Sequence, residues 1–315
     1  MSEDSNTNGQ DRILRTLIEA NRARVVVATA TTALREMCGR HGFVGLPAVA
    51  LGRAALSGLL LATLTKDEEQ LTLQIISKGP LEGVTIDARS SGHVRGFVKR
   101  PLVAPWTETA PLRERRSLAD LVGKDGVVGV VRDLGLAHNY SGQCALVSGE
   151  IDEDVEHYLN TSEQIDSVLK CEVFLDGEGR PEAAVGILVQ TLPEARGAAV
   201  VEFLRDTLRG PSLAEVMNAQ LASPLSCEAI VRAALGQCSD GMKILDDRPV
   251  TFHCPCSRER ARITLAMLRE EDLQEMILET NDAEVACNFC GAKYRFPEIE
   301  LEELRRARAK VQPSN

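Results

Sequence analysis

The chain has 315 residues, of which 44% are hydrophobic and only 3% aromatic, enough for one large core or two to three smaller ones built from Leu, Val, Ile and Ala. Its net charge of -10 excludes a general phosphate-binding surface, which needs clustered Lys and Arg. Nine cysteines behind a polar N-terminus with no basic-then-apolar leader point to the reducing cytoplasm, where such thiols bind metal or act in redox chemistry.

Residues 1–12 read as a polar, disordered leader. Residues 24–28 read as a strand, and 32–40 and 47–65 as helices. The most apolar stretch, 46–64, is interrupted by Pro47, Gly52, Arg53, Ser57 and Gly58, so it reads as a buried helix and not a membrane span. The period then changes. Leu71, Leu73 and Ile75 alternate with polar residues, Gly79-Pro80 marks a turn, and Val84, Ile86 and Ala88 continue the alternation. Further strands are expected over 94–99, 127–132 and 145–148. Residues 171–175 and 183–190 flank Asp176-Gly177-Glu178-Gly179-Arg180-Pro181, a hairpin signal. Short helices are expected over 152–159 and 162–169, the second capped by Ser162. This part is α+β with a mostly antiparallel sheet.

The character changes near Leu192-Pro193. Residues 194–208 read as an amphipathic helix, Gly210-Pro211 breaks it, Ser212 can cap 213–221, and Ser223-Pro224 precedes a third helix over 226–235. Such short helices are marginal alone, so the segment reads as a linker that docks on the first domain and could leave it.

The third unit begins near Phe252. Cys254-Pro255-Cys256 and Cys287-Asn288-Phe289-Cys290 are separated by 30 residues, and each pair offers two thiolates from one short turn. Four such sulfurs form a tetrahedral site that suits zinc. Ile263 with Met267, and Leu273 with Met276 and Ile277, have helical spacing and would fill the loop between the pairs. A short strand is expected over 292–296. The acidic-then-basic run from Glu298 to Lys310 suits a terminal helix.

His253 is a neighbour and not a ligand, because four thiolates complete a tetrahedron. Cys38, Cys144, Cys171 and Cys227 read as buried small hydrophobes, and Cys238 lies in the linker. Spacing alone favours a structural zinc site. It leaves open a thiol–disulfide oxidoreductase using Cys287 and Cys290, or a zinc-ribbon nucleic-acid binder. The segment from Cys254 onward carries 10 basic and 12 acidic residues, which weighs against the last.

At these cysteines the sequence resembles the thirty-three-kilodalton heat-shock proteins, redox-regulated holdase chaperones. The residues that carry the resemblance are Phe252-His253-Cys254-Pro255-Cys256-Ser257-Arg258-Glu259-Arg260 and Val285-Ala286-Cys287-Asn288-Phe289-Cys290 with Tyr294-Arg295-Phe296. Upstream, Val147-Ser148-Gly149-Glu150-Ile151 and Tyr158-Leu159-Asn160-Thr161-Ser162-Glu163-Gln164 fit as well, so the resemblance runs from about residue 13 onward.

The resemblance implies a core domain over 13–192, a metastable linker over 193–250 and a zinc-binding redox switch over 251–315. One zinc ion per chain would sit on Cys254, Cys256, Cys287 and Cys290. Oxidation would release it, form the disulfides Cys254–Cys256 and Cys287–Cys290, and unfold the switch. The protein would then hold unfolding clients without ATP, as a homodimer, in the cytoplasm. Enzymatic activity, nucleic-acid partners and membrane partners are not expected. Candidates for the client surface are apolar linker residues, Val200, Val201, Phe203, Leu204, Leu208, Leu213 and Val216, with the sheet face they cover.

Overall fold

The computed structural model describes residues 10–18, 23–65, 69–100, 107, 110–133, 140–192, 206, 213–220, 226–280 and 282–309. The chain divides into two compact units, Met1–His253 and Cys254–Asn315. The architecture is α+β. Among the described strands every pairing is antiparallel except one two-residue parallel contact.

In the first unit, β1 (Arg12–Ile18), β2 (Ala23–Thr29), β8 (Ser167–Leu175), β9 (Pro181–Thr191) and β10 (Lys243–Pro249) form a five-stranded sheet in the order β10-β1-β2-β9-β8. A six-stranded sheet runs β11-β5-β4-β3-β6-β7. Its strands are β3 (Gln70–Ser77), β4 (Gly83–Arg89), β5 (His93–Val98), β6 (Gly126–Asp133), β7 (Tyr140–Ala145) and β11 (Thr251–Phe252).

Helix α1 (Thr31–His41) precedes α2 (Leu46–Ala62), which is buried from Ala48 to Ala62 and packs against strands of both sheets, and a single turn, α3 (Ala119–Val122), precedes β6. Close approach depends on two glycines. A Cβ on Gly52 would lie 2.6 Å from Val173 of the first sheet, and one on Gly58 would lie 2.9 Å from Ile86 of the second. The apolar run is therefore a central core helix, as its interruptions imply. No helix among the described residues is long and apolar enough to cross a membrane.

The outer face of the five-stranded sheet carries a second core. Leu14, Ile18, Val25, Val27, Val185 and Ile187 are covered by Leu213, Val216 and Met217 of α5 (Leu213–Gln220) and by Ile230, Val231 and Leu235 of α6 (Cys227–Leu235). Ser226 caps α6 by accepting from the Ala229 amide. Of the helix expected over 194–208 only Asp206, which is helical, is described, and Val200, Val201, Phe203, Leu204, Leu208 and the proposed cap Ser212 lie outside the described residues.

Three expectations change. The helix expected over 162–169 is absent. Ser162 ends α4 (Asp152–Thr161) instead of capping a new helix, Gln164 turns the chain at a φ of 56°, and Ser167 opens β8. Tertiary pairing of Val168, Leu169 and Cys171 with β9 overrides their local helical spacing. The strand expected over 145–148 lies earlier, at β7, because 146–149 turn to let Asp154 accept the amides of Val147, Ser148 and Gly149. Strands β1 and β10 were not expected at all, and they pair with each other.

Charge is buried deep in this unit. Arg53, fully buried in α2, donates to Glu150 at 2.9 Å and to the Arg116 carbonyl at 2.9 Å, and faces Glu172 at 3.5 Å. Arg115 bridges Asp152 at 2.9 Å and Glu172 at 2.7 Å. Burial pushes the Glu172 carboxyl up against the pull of Arg53 and Arg115. A second buried acid, Asp11, serves α1. The residue preceding α1, Ala30, has no capping side chain, and the Asp11 carboxylate accepts the Ala33 amide at 2.9 Å from across the chain. Burial raises the Asp11 pKa, opposed by that amide and those of Thr31 and Thr32.

Replacing Arg53 by Met leaves Glu150 and Glu172 without their buried partner. It is expected to lower unfolding stability in urea by about 3–5 kcal/mol. Asp11→Ala removes the cap and should lower it by about 1–2 kcal/mol, whereas Asp11→Asn keeps an acceptor and should cost less. Equal costs for the Ala and Asn variants would show that Asp11 does not act as a cap.

Candidate metal centre

The second unit contains α7 (Arg258–Ala266), α8 (Glu270–Thr280), the hairpin β12 (Asp282–Ala286) and β13 (Lys293–Pro297), and α9 (Glu298–Ala309). Its buried core is small: Ala261, Leu265, Leu273, Ile277, Ala283, Phe296, Leu301 and Leu304. Leu273 and Ile277 fill the loop as their spacing implies. Ile263 and Met267 do not, being 48% and 72% exposed, because α7 presents Ala261 and Leu265 inward instead.

Cys254 and Cys256 lie on the loop before α7. Ser257 caps that helix by accepting from the Arg260 amide, so Cys256 stands just ahead of its N-terminus. Cys287 and Cys290 lie in the β12–β13 turn. There the Cys287 amide donates to Ala292, and its carbonyl accepts from Gly291, whose φ of 69° favours glycine. Arg258 ties the two halves together. It donates to the Arg295 carbonyl at 2.9 Å and to Glu300 at 2.8 Å, and its guanidinium lies 4.4 Å from the centre of the Phe296 ring.

The four sulfurs all lie within 4.8 Å of one another. Two contacts run between the halves: Cys254 Sγ to Cys287 Sγ at 3.7 Å and Cys256 Sγ to Cys290 Sγ at 3.2 Å. The Tyr294 hydroxyl donates to Cys256 Sγ at 3.3 Å. Burial opposes ionisation of Cys256. The bonds from Tyr294 and from the neighbouring thiols outweigh it and bring its pKa down to about 7. Burial raises Cys287, and burial with the adjacent sulfurs pushes Cys290 up to about 12. The donor set therefore fits a soft divalent ion: four thiols converge, one is poised to ionise, and a cation would draw the rest into the thiolate form.

His253 stands outside this set. Its ring stacks on His93 at 4.7 Å, and its amide donates to the Val94 carbonyl. Cys38, Cys171, Cys227 and Cys238 are buried, whereas Cys144 is only half-buried. Burial raises the pKa of Cys38 and Cys227 to about 12, which leaves them inert as nucleophiles. Glu163 of the Ser162-Glu163-Gln164 stretch accepts from Tyr158 at 2.7 Å and pairs with Arg132 at 3.0 Å, a structural arrangement. The residue that spacing did not single out is Tyr294. Its position, alternating with Phe296 along β13, was the available signal.

Fold and site together define an α+β body carrying helices on one sheet, followed by a small four-cysteine metal-binding unit. Comparison with known proteins gives that class a family. The family model described as Hsp33 protein matches residues 11–297. The 33 kDa chaperonin of Listeria welshimeri is 34% identical over 296 residues, covering 93% of this chain and 98% of that protein. The 33 kDa chaperonin of Bacillus subtilis is 33% identical, covering 94% and 98%. The crystal structure of the 33 kDa chaperonin, a heat shock protein 33 homologue, from Thermotoga maritima matches with a TM-score of 0.83 at 29% identity, covering 96% of this chain and 99% of that one. The chain belongs to the Hsp33 family of chaperones.

Tyr294→Phe removes a single hydroxyl. By raising the Cys256 pKa from about 7 it is expected to shift zinc loading to higher pH, read from zinc binding titrated against pH. An unchanged titration would mean that the thiols alone set it.

Proposed function

We propose that this protein is a redox-activated, ATP-independent holdase whose switch is a single zinc ion on Cys254, Cys256, Cys287 and Cys290. The convergence of the four sulfurs carries the reading. When bound, zinc holds all four sulfurs as electron-rich thiolates.

Peroxide supplies the oxidising equivalents. A thiolate attacks one peroxide oxygen, the O–O bond breaks, and the products are a sulfenic acid and hydroxide. A neighbouring thiol then attacks that sulfur, a disulfide forms and water leaves, so one peroxide yields one disulfide. Two peroxides convert all four sulfurs. By the family resemblance the final pairs are Cys254–Cys256 and Cys287–Cys290. In the structure every sulfur has the other three within 4.8 Å, so a neighbour stands ready to resolve whichever is oxidised first.

A unit of this size with so small an apolar core depends on its metal for folding. Its loss frees the chain before Cys254, and with it the segment 193–250 that carries α5 and α6. Departure of those helices would bare the apolar sheet face around Leu14, Val25, Val27 and Ile187, a surface suited to unfolding clients. The domain division 13–192, 193–250 and 251–315 belongs to this proposal, as do dimerisation on oxidation and a cytoplasmic site of action. The oxidoreductase reading has less support. Cys287 and Cys290 sit in a turn between antiparallel strands and not at a helix N-terminus, and Cys290 is held far from ionisation.

Zinc-loaded protein treated with peroxide at mild heat is expected to release about one ion per chain, as one four-thiolate site requires. In the same samples it should suppress light scattering from an aggregating client, and dithiothreitol should reverse both. Zinc release without any effect on aggregation would make the site purely structural. Cys256→Ser should lose zinc and leave 254–309 susceptible to protease without oxidant.

A further inference from the structure

Strand β10 forms one edge of the five-stranded sheet, pairing antiparallel with β1 from Arg12↔Pro249 to Leu17↔Lys243. None of its seven side chains is buried, and Ile244 and Leu245 stand half-exposed. The strand is therefore held by backbone hydrogen bonds and by charge. Arg12 pairs with Asp247 at 2.6 Å, and Asp246 is the register partner of Arg15. The register shifts between Arg15 and Thr16, so the edge already tolerates an irregular partner.

Strand β1 is anchored differently. Ile13, Leu14, Thr16 and Ile18 are buried, and its pairing with β2 is continuous from Ile13↔Ala28 to Ile18↔Ala23. Removing β10 would leave β1 in place with alternate amides and carbonyls unpaired.

The route to that removal is short. From β10 the chain passes Val250, whose amide donates to the Asp11 carbonyl, then the two-residue strand β11 on β5, then His253, and reaches Cys254. One strap, 243–253, thus closes an edge of each sheet and ends at the first metal-binding sulfur.

We infer that the edge of β1, covered in the reduced protein by β10, is a docking edge for extended segments of unfolding client chains once the strap leaves. This rests on the redox-holdase reading above. An open edge pairs with any extended backbone, which gives recognition without a side-chain requirement. The occupant now seated there meets no deep side-chain pocket, since every β10 side chain is exposed or half-buried. Arg12 adds a bias: segments with an acidic residue, as Asp247 now provides, pair best.

The test is amide hydrogen exchange of the full-length protein, reduced and oxidised, with and without reduced, carboxymethylated lactalbumin as a permanently unfolded client. Client holding is followed by light scattering in parallel. Peptides covering 12–18 are expected to exchange faster on oxidation and to slow again, on the order of tenfold, when the client binds. Protection that persists on oxidation, or that is lost and not regained with client bound, overturns the inference while leaving the holdase reading intact. Protection regained without client, and rising with protein concentration, would identify a second copy as the occupant and overturn the client assignment. An oxidised protein that holds no client removes the holdase reading, and this inference with it.

Discussion

Four sulfurs held within 4.8 Å of one another are the constraint on which the C-terminal unit depends. Two turns with little else in common, one ahead of α7 and one between β12 and β13, are brought together there. Arg258 and Tyr294 reinforce the junction, but the apolar core beneath is too small to hold such a unit by itself. The sulfur site and the fold of the unit are therefore built from the same two turns.

The first unit is built on the opposite plan. Its central helix is buried along nearly its whole length between two sheets, and a fully buried arginine is paired with two glutamates and a carbonyl. A network of that kind makes partial opening of the core expensive. Other elements are attached at the periphery. Helices α5 and α6 lie on one sheet face, and the strap from β10 to β11 closes two sheet edges, its β10 side chains exposed or half-buried. The proposed holdase would need such a division, a durable body under a peripheral cover, because activation would have to expose apolar surface without dissolving the fold.

Much of this was legible in the sequence. The C-x-C and C-x-x-C pairs named the metal centre, alternation located β3 and β4, a hairpin signal located β9 and the end of β8, and the interruptions in 46–64 marked a core helix. The failures have a common cause. Residues 162–169 have helical spacing, yet Val168 and Leu169 belong to a strand because β9 lies alongside to pair with them. Ile263 and Met267 have helical spacing too, yet α7 turns its other face inward. Local pattern specifies periodicity, and only the neighbouring element specifies which face is buried.

The sequence by itself determined the chemistry of this protein: which four side chains can bind a soft ion, that the body is α+β, and that helices lie near 213–221 and 226–235. Ligand chemistry and periodicity are properties of residue type and spacing, so they survive without coordinates. Tertiary structure alone decided what caps, covers and tunes. Asp11 caps α1 from outside it, Tyr294 reaches Cys256 across 38 positions, and β10 closes on β1 from more than 200 residues away. Those contacts join distant segments, and no local pattern in the chain encodes the distance between them.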